Sequence, residues 1–282
     1  MRIETNLRDR KEQEFRELPE ERNNNSSKPK KNRRRKKSMP NVVQELFWTC
    51  TEVFARGGAG TVPSRRDVER LRSVLDHMQP ADVGLSPDMP YFRANEPEGI
   101  PPITYLHLYE CSRFSIGIFC LPPSAIIPLH NHPGMTVFSK LLFGSMHIKS
   151  FDWATDLPHA TNQNLNSHIQ PHGIRLAKIK TDSDFTAPCN TSILYPADGG
   201  NMHCFTALTS CAVLDVLGPP YSDSEGRPCT YYHDFPYASF SGDERLVPEE
   251  EREGYAWLEE IENPENLLVV GAMYRGPRIV EN

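Results

Sequence analysis

From about residue 100 onward the chain is a series of short apolar segments separated by turn-forming residues, and this pattern restricts the fold most. The predicted strands are 103–109, 114–121, 125–129, 136–143, 145–151, 173–180, 191–195, 202–208, 212–217, 229–235 and 267–274. Many short strands at close spacing indicate an all-β sandwich or barrel. In the acidic stretch 241–266 we expect one short helix, around 255–261. No run approaches the roughly 18 uninterrupted apolar residues of a membrane helix, so we expect no membrane partner.

Two helices are predicted before the strands, and we expect both to pack on the outside of the barrel. Apolar residues recur at helical spacing between Val43 and Phe54, and Gly57 follows as a stop signal. The second helix is expected after Ser64, which lies three residues before Asp67 as in a capping box. The apolar stripe of this helix consists of Val68, Leu71, Leu75 and Met78.

The N-terminal segment is basic, whereas the rest of the chain is acidic. Residues 1–40 hold 14 Lys or Arg and 7 Asp or Glu, a balance of +7, and the remaining 17 and 30 give −13. Because apolar side chains are few there, we expect residues 1–39 to be disordered and a folded domain to occupy 40–282. Eight of the ten residues 28–37 are Lys or Arg, which indicates a nuclear import signal, a patch for polyanions or a solvated tail. The acidic folded part would repel phosphates, which disfavours direct nucleic-acid binding.

The cysteines and the start of the chain indicate a reducing compartment. There are seven cysteines and no C-x-x-C pair, which disfavours a disulfide framework and a cysteine-ligated zinc site. The charged start lacks the apolar region of a signal peptide. We therefore expect a monomeric protein of the nucleus and cytoplasm.

The sharpest local motif is a pair of histidines, His130 and His132, at the end of a predicted strand. Side chains at i and i+2 of a strand point to the same face, so both imidazoles could be directed into the barrel. Imidazole is a good ligand for iron, zinc, copper and nickel. Two surface histidines in a turn are the alternative.

The spacing around these histidines resembles the first cupin signature, in which H-x-H is followed after three or four residues by a Glu and, after six more, by a Gly. Val137 occupies the Glu position here, or Thr136 at the shorter spacing, and Gly144 occupies the Gly position. About sixty residues further on, Gly200-x-x-His203 resembles the second cupin signature. The resemblance implies a cupin double-stranded β-helix, or jelly-roll barrel, that holds a metal through His203 and the two histidines of the first motif.

A site with three histidines and no Glu would leave the full charge of a divalent ion uncompensated. Such a site suits a substrate that brings its own negative charge, for example a thiolate. Three protein ligands would also leave coordination positions for substrate and dioxygen.

Longer motifs closely resemble the plant cysteine oxidases, which are similar to the animal 2-aminoethanethiol dioxygenases. The matching motifs are H-N-H-P-G-M at 130–135, V-F-S-K-L-L-F-G at 137–144, M-H-C-F at 202–205, A-V-L-D-V-L-G-P-P-Y at 212–221 and R-x-C-T-Y-Y at 227–232. The resemblance implies an Fe(II)-dependent dioxygenase that adds both atoms of O2 to an N-terminal cysteine of target proteins, giving Cys-sulfinic acid. The implied targets are group VII ethylene-response factors, and the implied role is oxygen sensing in the hypoxia response through the N-degron pathway.

Two further residues, Asp215 and Tyr221, match positions of that family around the metal. Asp215 would accept the free N–H of a ligand histidine or contact the substrate amine, unless it is a surface residue of an edge strand. Tyr221 would hydrogen-bond oxygen or substrate, unless it is a core aromatic. Cys229 and Tyr231 are i and i+2 of a predicted strand, so they would share a face. Related thiol dioxygenases can carry a Cys–Tyr thioether, and the resemblance implies such a crosslink here, unless Cys229 is a buried cysteine without a function.

Three other functions are compatible with the sequence. The protein could oxidise free small thiols, or it could be a non-catalytic nuclear cupin that binds a ligand or partner. It could also be a zinc or nickel cupin with hydrolase or isomerase activity.

Overall fold

The computed structural model describes residues 41–93, 99–155, 173–240, 247–262, 264 and 266–281, and these form two α-helices followed by twelve strands. Helix α1 (Val42–Val53) and helix α2 (Arg65–His77) begin after Asn41 and Ser64, whose side chains accept hydrogen bonds from backbone N–H groups of the first turn. The strands are β1 (Ile103–Glu110), β2 (Ser115–Leu121), β3 (Ile126–Asn131), β4 (Thr136–Phe143), β5 (Ser145–Trp153), β6 (Arg175–Thr186), β7 (Ser192–Leu194), β8 (Met202–Ala207), β9 (Cys211–Gly218), β10 (Tyr231–Pro236), β11 (Tyr255–Ile261) and β12 (Val269–Ala272).

The strands form two sheets, and successive strands alternate between them from β2 to β5 and again from β6 to β10. One sheet has the order β12-β1-β2-β9-β4-β7. The other has the order β10-β11-β6-β5-β8-β3 and closes on itself, because β10 also pairs with β3. The pairing between β1 and β12 is parallel, and the other pairings among the described strands are antiparallel. This architecture confirms the predicted all-β cupin double-stranded β-helix.

The two helices cover the outer face of the first sheet, as predicted. Leu46 of α1 and Leu71 of α2 are fully buried in one hydrophobic cluster with Leu214 of β9. Alternate residues of β9 point the other way: Val213 packs in a second cluster with Phe205 of β8. Both faces of β9 are therefore buried, and one of them lines the space between the sheets.

The prediction of a helix at 255–261 is wrong, because these residues form β11. The strand is hydrogen-bonded on both sides, and Trp257 is in register with Phe235 of β10 and Leu176 of β6. Leu258 packs inside the closed sheet, whereas Trp257 packs in a separate cluster on the opposite side. The acidic sequence around the segment hid its alternating aromatic and aliphatic side chains, which favour a strand buried on both faces.

The described part of the chain contains no helix long and apolar enough to cross a membrane. The basic tail predicted at 1–39 lies outside the described residues, so the division at residue 40 stays a prediction.

Candidate metal centre

Three histidine side chains meet between the sheets. His130 is on β3 and is paired in register with His203 of β8, whereas His132 is the first residue after the end of β3. All three are buried, and their ligand nitrogens lie within 4.8 Å of one another. The structure therefore brings together the three residues that the sequence predicts as metal ligands.

Neighbouring groups set the orientation of two of the imidazole rings. His130 Nδ1 is 2.8 Å from the carbonyl oxygen of Pro128, to which it donates, and this leaves Nε2 free to bind an ion. The Tyr221 hydroxyl is 2.8 Å from the carbonyl oxygen of Asn131 and 2.9 Å from His132 Nδ1. A carbonyl oxygen only accepts, so Tyr221 donates to Asn131 and accepts the Nδ1–H of His132. His132 Nε2 therefore carries a lone pair.

Burial keeps the three imidazoles neutral. It lowers the pKa of His130 to about 4. Burial is also the largest cause that lowers the pKa of His132 and His203, and the neighbouring histidines lower both further. Neutral imidazole is the form that binds a transition metal, so the rings are ready to act as ligands without losing a proton.

The spacing of the nitrogens fits one metal ion. Nε2 of His132 and Nε2 of His203 are 3.0 Å apart. Two imidazole nitrogens that bind one ion at right angles, each at about 2.1 Å, would be separated by about 3.0 Å. Among the described residues no carboxylate or thiol joins the three histidines in a cluster of ligand atoms. The donor set is thus three neutral nitrogens.

Asp215 lies in the interior of the fold and not on an edge strand. It is on β9, which is hydrogen-bonded between β2 and β4, and its side chain points to the same face as Val213. One hydrogen bond reaches Ser139, but Oδ1 is buried and has no hydrogen-bond partner among the described residues. Burial raises the pKa of this carboxyl group to about 7, and the bond to Ser139 opposes the rise. The negative charge of Asp215 also contributes to the raised pKa of Tyr221, the tyrosine that bonds His132.

Tyr221, Cys229 and Tyr231 form a second group next to the histidines. Burial, followed by the nearby Cys229 thiol, raises the pKa of Tyr221 and of Tyr231. The Tyr231 ring centroid is 6.3 Å from that of His130. Cys229 does not lie on the predicted strand, since β10 begins only at Tyr231. The shared-face argument therefore does not apply to Cys229, although its thiol lies close enough to Tyr231 to raise the pKa of that tyrosine.

Two residues that support the site, Asn201 and Asp152, were not predicted from the sequence. The side chain of Asn201 bonds both backbone polar groups of His132, and the carboxylate of Asp152 holds the backbone of Asn201. Asn201 lies between the Gly and the His of the second cupin signature, and that position was the available signal. Asp152 gave no signal, because its partners are about fifty residues away in the chain.

Comparisons with known proteins agree with this geometry. A family model described as PCO_ADO matches residues 74–279. The chain is 63% identical to plant cysteine oxidase 2 of Arabidopsis thaliana over 240 residues, which cover 85% of the chain and 83% of that protein. It is 61% identical to plant cysteine oxidase 1 of the same plant over 244 residues, covering 84% and 80%. It is also 27% identical to the human 2-aminoethanethiol dioxygenase over 274 residues, covering 86% and 98%.

Proposed function

The chain belongs to the PCO_ADO family, and from this membership we propose that it is a thiol dioxygenase that oxidises the N-terminal cysteine of target proteins. The thiol and one O2 become a sulfinic acid: two sulfur–oxygen bonds form, sulfur gives up four electrons and dioxygen takes up four. No external reductant is therefore needed. The observation that carries the proposal is the buried cluster of three neutral histidines with no carboxylate among its ligand atoms.

His130, His132 and His203 are the proposed ligands of a ferrous ion. When bound, ferrous iron would favour the thiolate form of the substrate and activate dioxygen. The protein supplies neutral ligands, so the ion keeps its charge for the incoming thiolate. It also supplies a site from which bulk water is largely excluded, since all three side chains are buried.

Asp215 is the proposed anchor for the positively charged amino group of the substrate. Its Oδ1 is buried and without a partner, which is costly unless a ligand completes the hydrogen bond. An ammonium group within reach of this oxygen would stabilise the carboxylate and would distinguish an N-terminal cysteine from an internal one. The alternative in which Asp215 holds a ligand histidine is less well supported. Pro128 and Tyr221 bind the Nδ1 atoms of His130 and His132, and Oδ1 of Asp215 bonds none of the described residues, His203 included.

Tyr221 is proposed to act through His132 and not on oxygen directly. Its hydroxyl is occupied by Asn131 and His132, so its role is to fix the tautomer and the direction of that ligand. Cys229 and Tyr231 lie beside Tyr221. A thioether between Cys229 and Tyr231 would consume the Cys229 thiol and so end its effect on both tyrosines.

The protein targets proposed are group VII ethylene-response factors, which would be marked for the N-degron pathway when oxygen is present. The basic run at 28–37 supports entry into the nucleus, where such factors act, in addition to a cytoplasmic pool. We propose that the protein works as a monomer and does not bind nucleic acid itself.

Oxidation of a free small thiol is the second candidate. It is favoured by the human relative, which is named a 2-aminoethanethiol dioxygenase. Both substrate classes carry an amine and a thiol, so the three histidines and Asp215 would accommodate either.

The test is a side-by-side oxidation assay with protein loaded with Fe(II) under anaerobic conditions and then exposed to O2. A peptide that begins with Cys should gain two oxygen atoms by mass spectrometry and should react much faster than free cysteine or 2-aminoethanethiol. A peptide with Ser in place of Cys is the matched control. A faster reaction with the free thiols would favour the second candidate, and no oxidation of any thiol would refute both.

A further inference from the structure

We propose that Asn201 is the positioning residue that sets the distance between the two halves of the histidine cluster, and that Asp152 holds it in place. The inference rests on the proposed function only in that the three histidines bind one metal ion. It concerns residues that do not touch that ion.

His132 needs such a support because it lies beyond the end of its strand. The ladder between β3 and β8 ends with the pair Asn131 and Met202, so the backbone of His132 has no partner strand. The Asn201 side chain takes the place of the missing partner strand. Its Oδ1 accepts from the His132 N–H at 3.2 Å, and its Nδ2 donates to the His132 carbonyl oxygen at 2.9 Å. The amide acts as one additional peptide group at the end of the ladder.

Asn201 also belongs to the segment that presents the other half of the site, since His203 follows two residues later. One side chain therefore ties the backbone next to one ligand to the backbone of another. Nδ2 makes a further bond of 2.8 Å to the carbonyl oxygen of Tyr195, which fixes the amide from the opposite side. Each polar atom of the side chain has a partner, and Asn201 is buried.

Asp152 of β5 fixes the turn from which Asn201 projects. Its carboxylate accepts from the backbone N–H groups of Gly200 and Asn201, with contacts between 2.9 and 3.1 Å. Lys180 Nζ lies 3.6 Å from this carboxylate and 2.9 Å from that of Asp198, so its positive charge is shared between the two. Gly200 has a φ of +84°, and a Cβ there would collide with Ser150. The turn is thus specified by several groups at once.

The experiment compares metal affinity with stability of the metal-free protein. The variants are Asn201→Ala, Asn201→Asp and Asp152→Asn. The control is Thr191→Ala, which removes a buried hydrogen bond of 2.7 Å to Asp76 of α2 without touching the histidines. Co(II) and Fe(II) affinities are measured by competition with a chelator, without thiol or O2, and unfolding of the metal-free forms is followed by circular dichroism.

Asn201→Ala should weaken metal binding by about 10- to 100-fold, as expected for loss of a group that orients a ligand. Asn201→Asp should not restore affinity, because a carboxylate cannot donate to the carbonyls of His132 and Tyr195. Asp152→Asn should also weaken metal binding. If Asn201→Ala does not fold, the affinity of Asp152→Asn tests the positioning role in its place. The control should lose thermal stability and keep its affinity.

Wild-type affinity in Asn201→Ala and Asp152→Asn, or an equal loss in Thr191→Ala, would overturn the inference. The result is independent of the proposed function, because a protein that oxidises no thiol would still show these differences in Co(II) binding. Conversely, normal metal affinities in all variants would refute the role of Asn201 but would not contradict the proposed oxidation of a Cys-initiating peptide.

Discussion

Replacing Asp215 by Asn should make the metal-free protein more stable, and increasingly so as the pH rises. Burial raises the pKa of this carboxyl from 3.8 to about 7. Below the unfolded pKa the carboxyl is neutral in both the folded and the unfolded state, so it costs no stability. Between pH 4 and pH 7 it is ionised in the unfolded chain but held neutral in the fold, so the loss of folding free energy grows with pH. At 1.36 kcal/mol per pKa unit, the penalty is about 2 kcal/mol at pH 5 and about 4 kcal/mol at pH 8.

The assay is urea unfolding of wild type and Asp215→Asn, both metal-free, at pH 5 and pH 8. Asn keeps the shape and a bond to Ser139 but carries no charge, so the difference in unfolding free energy should widen by about 2 kcal/mol between the two pH values. Asp223→Asn, at an exposed position, is the matched control and should show no such widening. A constant or shrinking difference for Asp215→Asn would refute the argument from burial.

Asp215→Asn should also lose activity, which would show that the buried carboxylate is retained for function although it destabilises the metal-free fold. Wild type should prefer a Cys-initiating peptide with a free amino group over its N-acetylated form, because only the former offers a positive charge to Asp215. Asp215→Asn should lose most of this preference, through a higher KM for the free-amine peptide. An unchanged preference would remove Asp215 as the anchor.

Three further predictions follow from the contacts of the site. Tyr221→Phe removes the hydroxyl that accepts the ring N–H of His132, and chelator competition should show metal affinity about tenfold weaker; unchanged affinity would contradict the tautomer assignment. If Cys229 and Tyr231 crosslink during turnover, the intact mass should fall by two hydrogen atoms, and Cys229→Ser should abolish that change; a constant mass excludes the thioether. Gly200→Ala should destabilise the metal-free protein by at least about 1 kcal/mol in urea unfolding, because its φ is positive and the added Cβ would collide with a side chain of β5. An unaffected unfolding midpoint would show that the turn can rearrange.

The sequence was sufficient for what depends on local pattern. The period of apolar residues placed most strands and both helices, and the i, i+2 rule placed His130 and His132 together. It failed at 255–261, where a strand buried on both faces lacks a simple alternation of polar and apolar residues. Strand partners such as β10 for β11 come from distant parts of the chain, so their pairing could not be derived from the segment itself.

The supporting groups of the site illustrate the same limit. Asn201 and Tyr221 reach His132 from positions 69 and 89 residues away, and only the folded barrel brings them together. The burial of Asp215 likewise depends on β9 being placed between β2 and β4. Sequence spacing indicated which residues to examine, but it could not distinguish a buried carboxylate from one at the surface.

The most direct test of the central claim is the crystal structure of the protein loaded with Fe(II) and kept free of oxygen. We predict one ion bonded to the Nε2 atoms of His130, His132 and His203, with no carboxylate bonded to it. An ion bonded to Asp215, or one of the three rings turned away from the ion, would contradict the account.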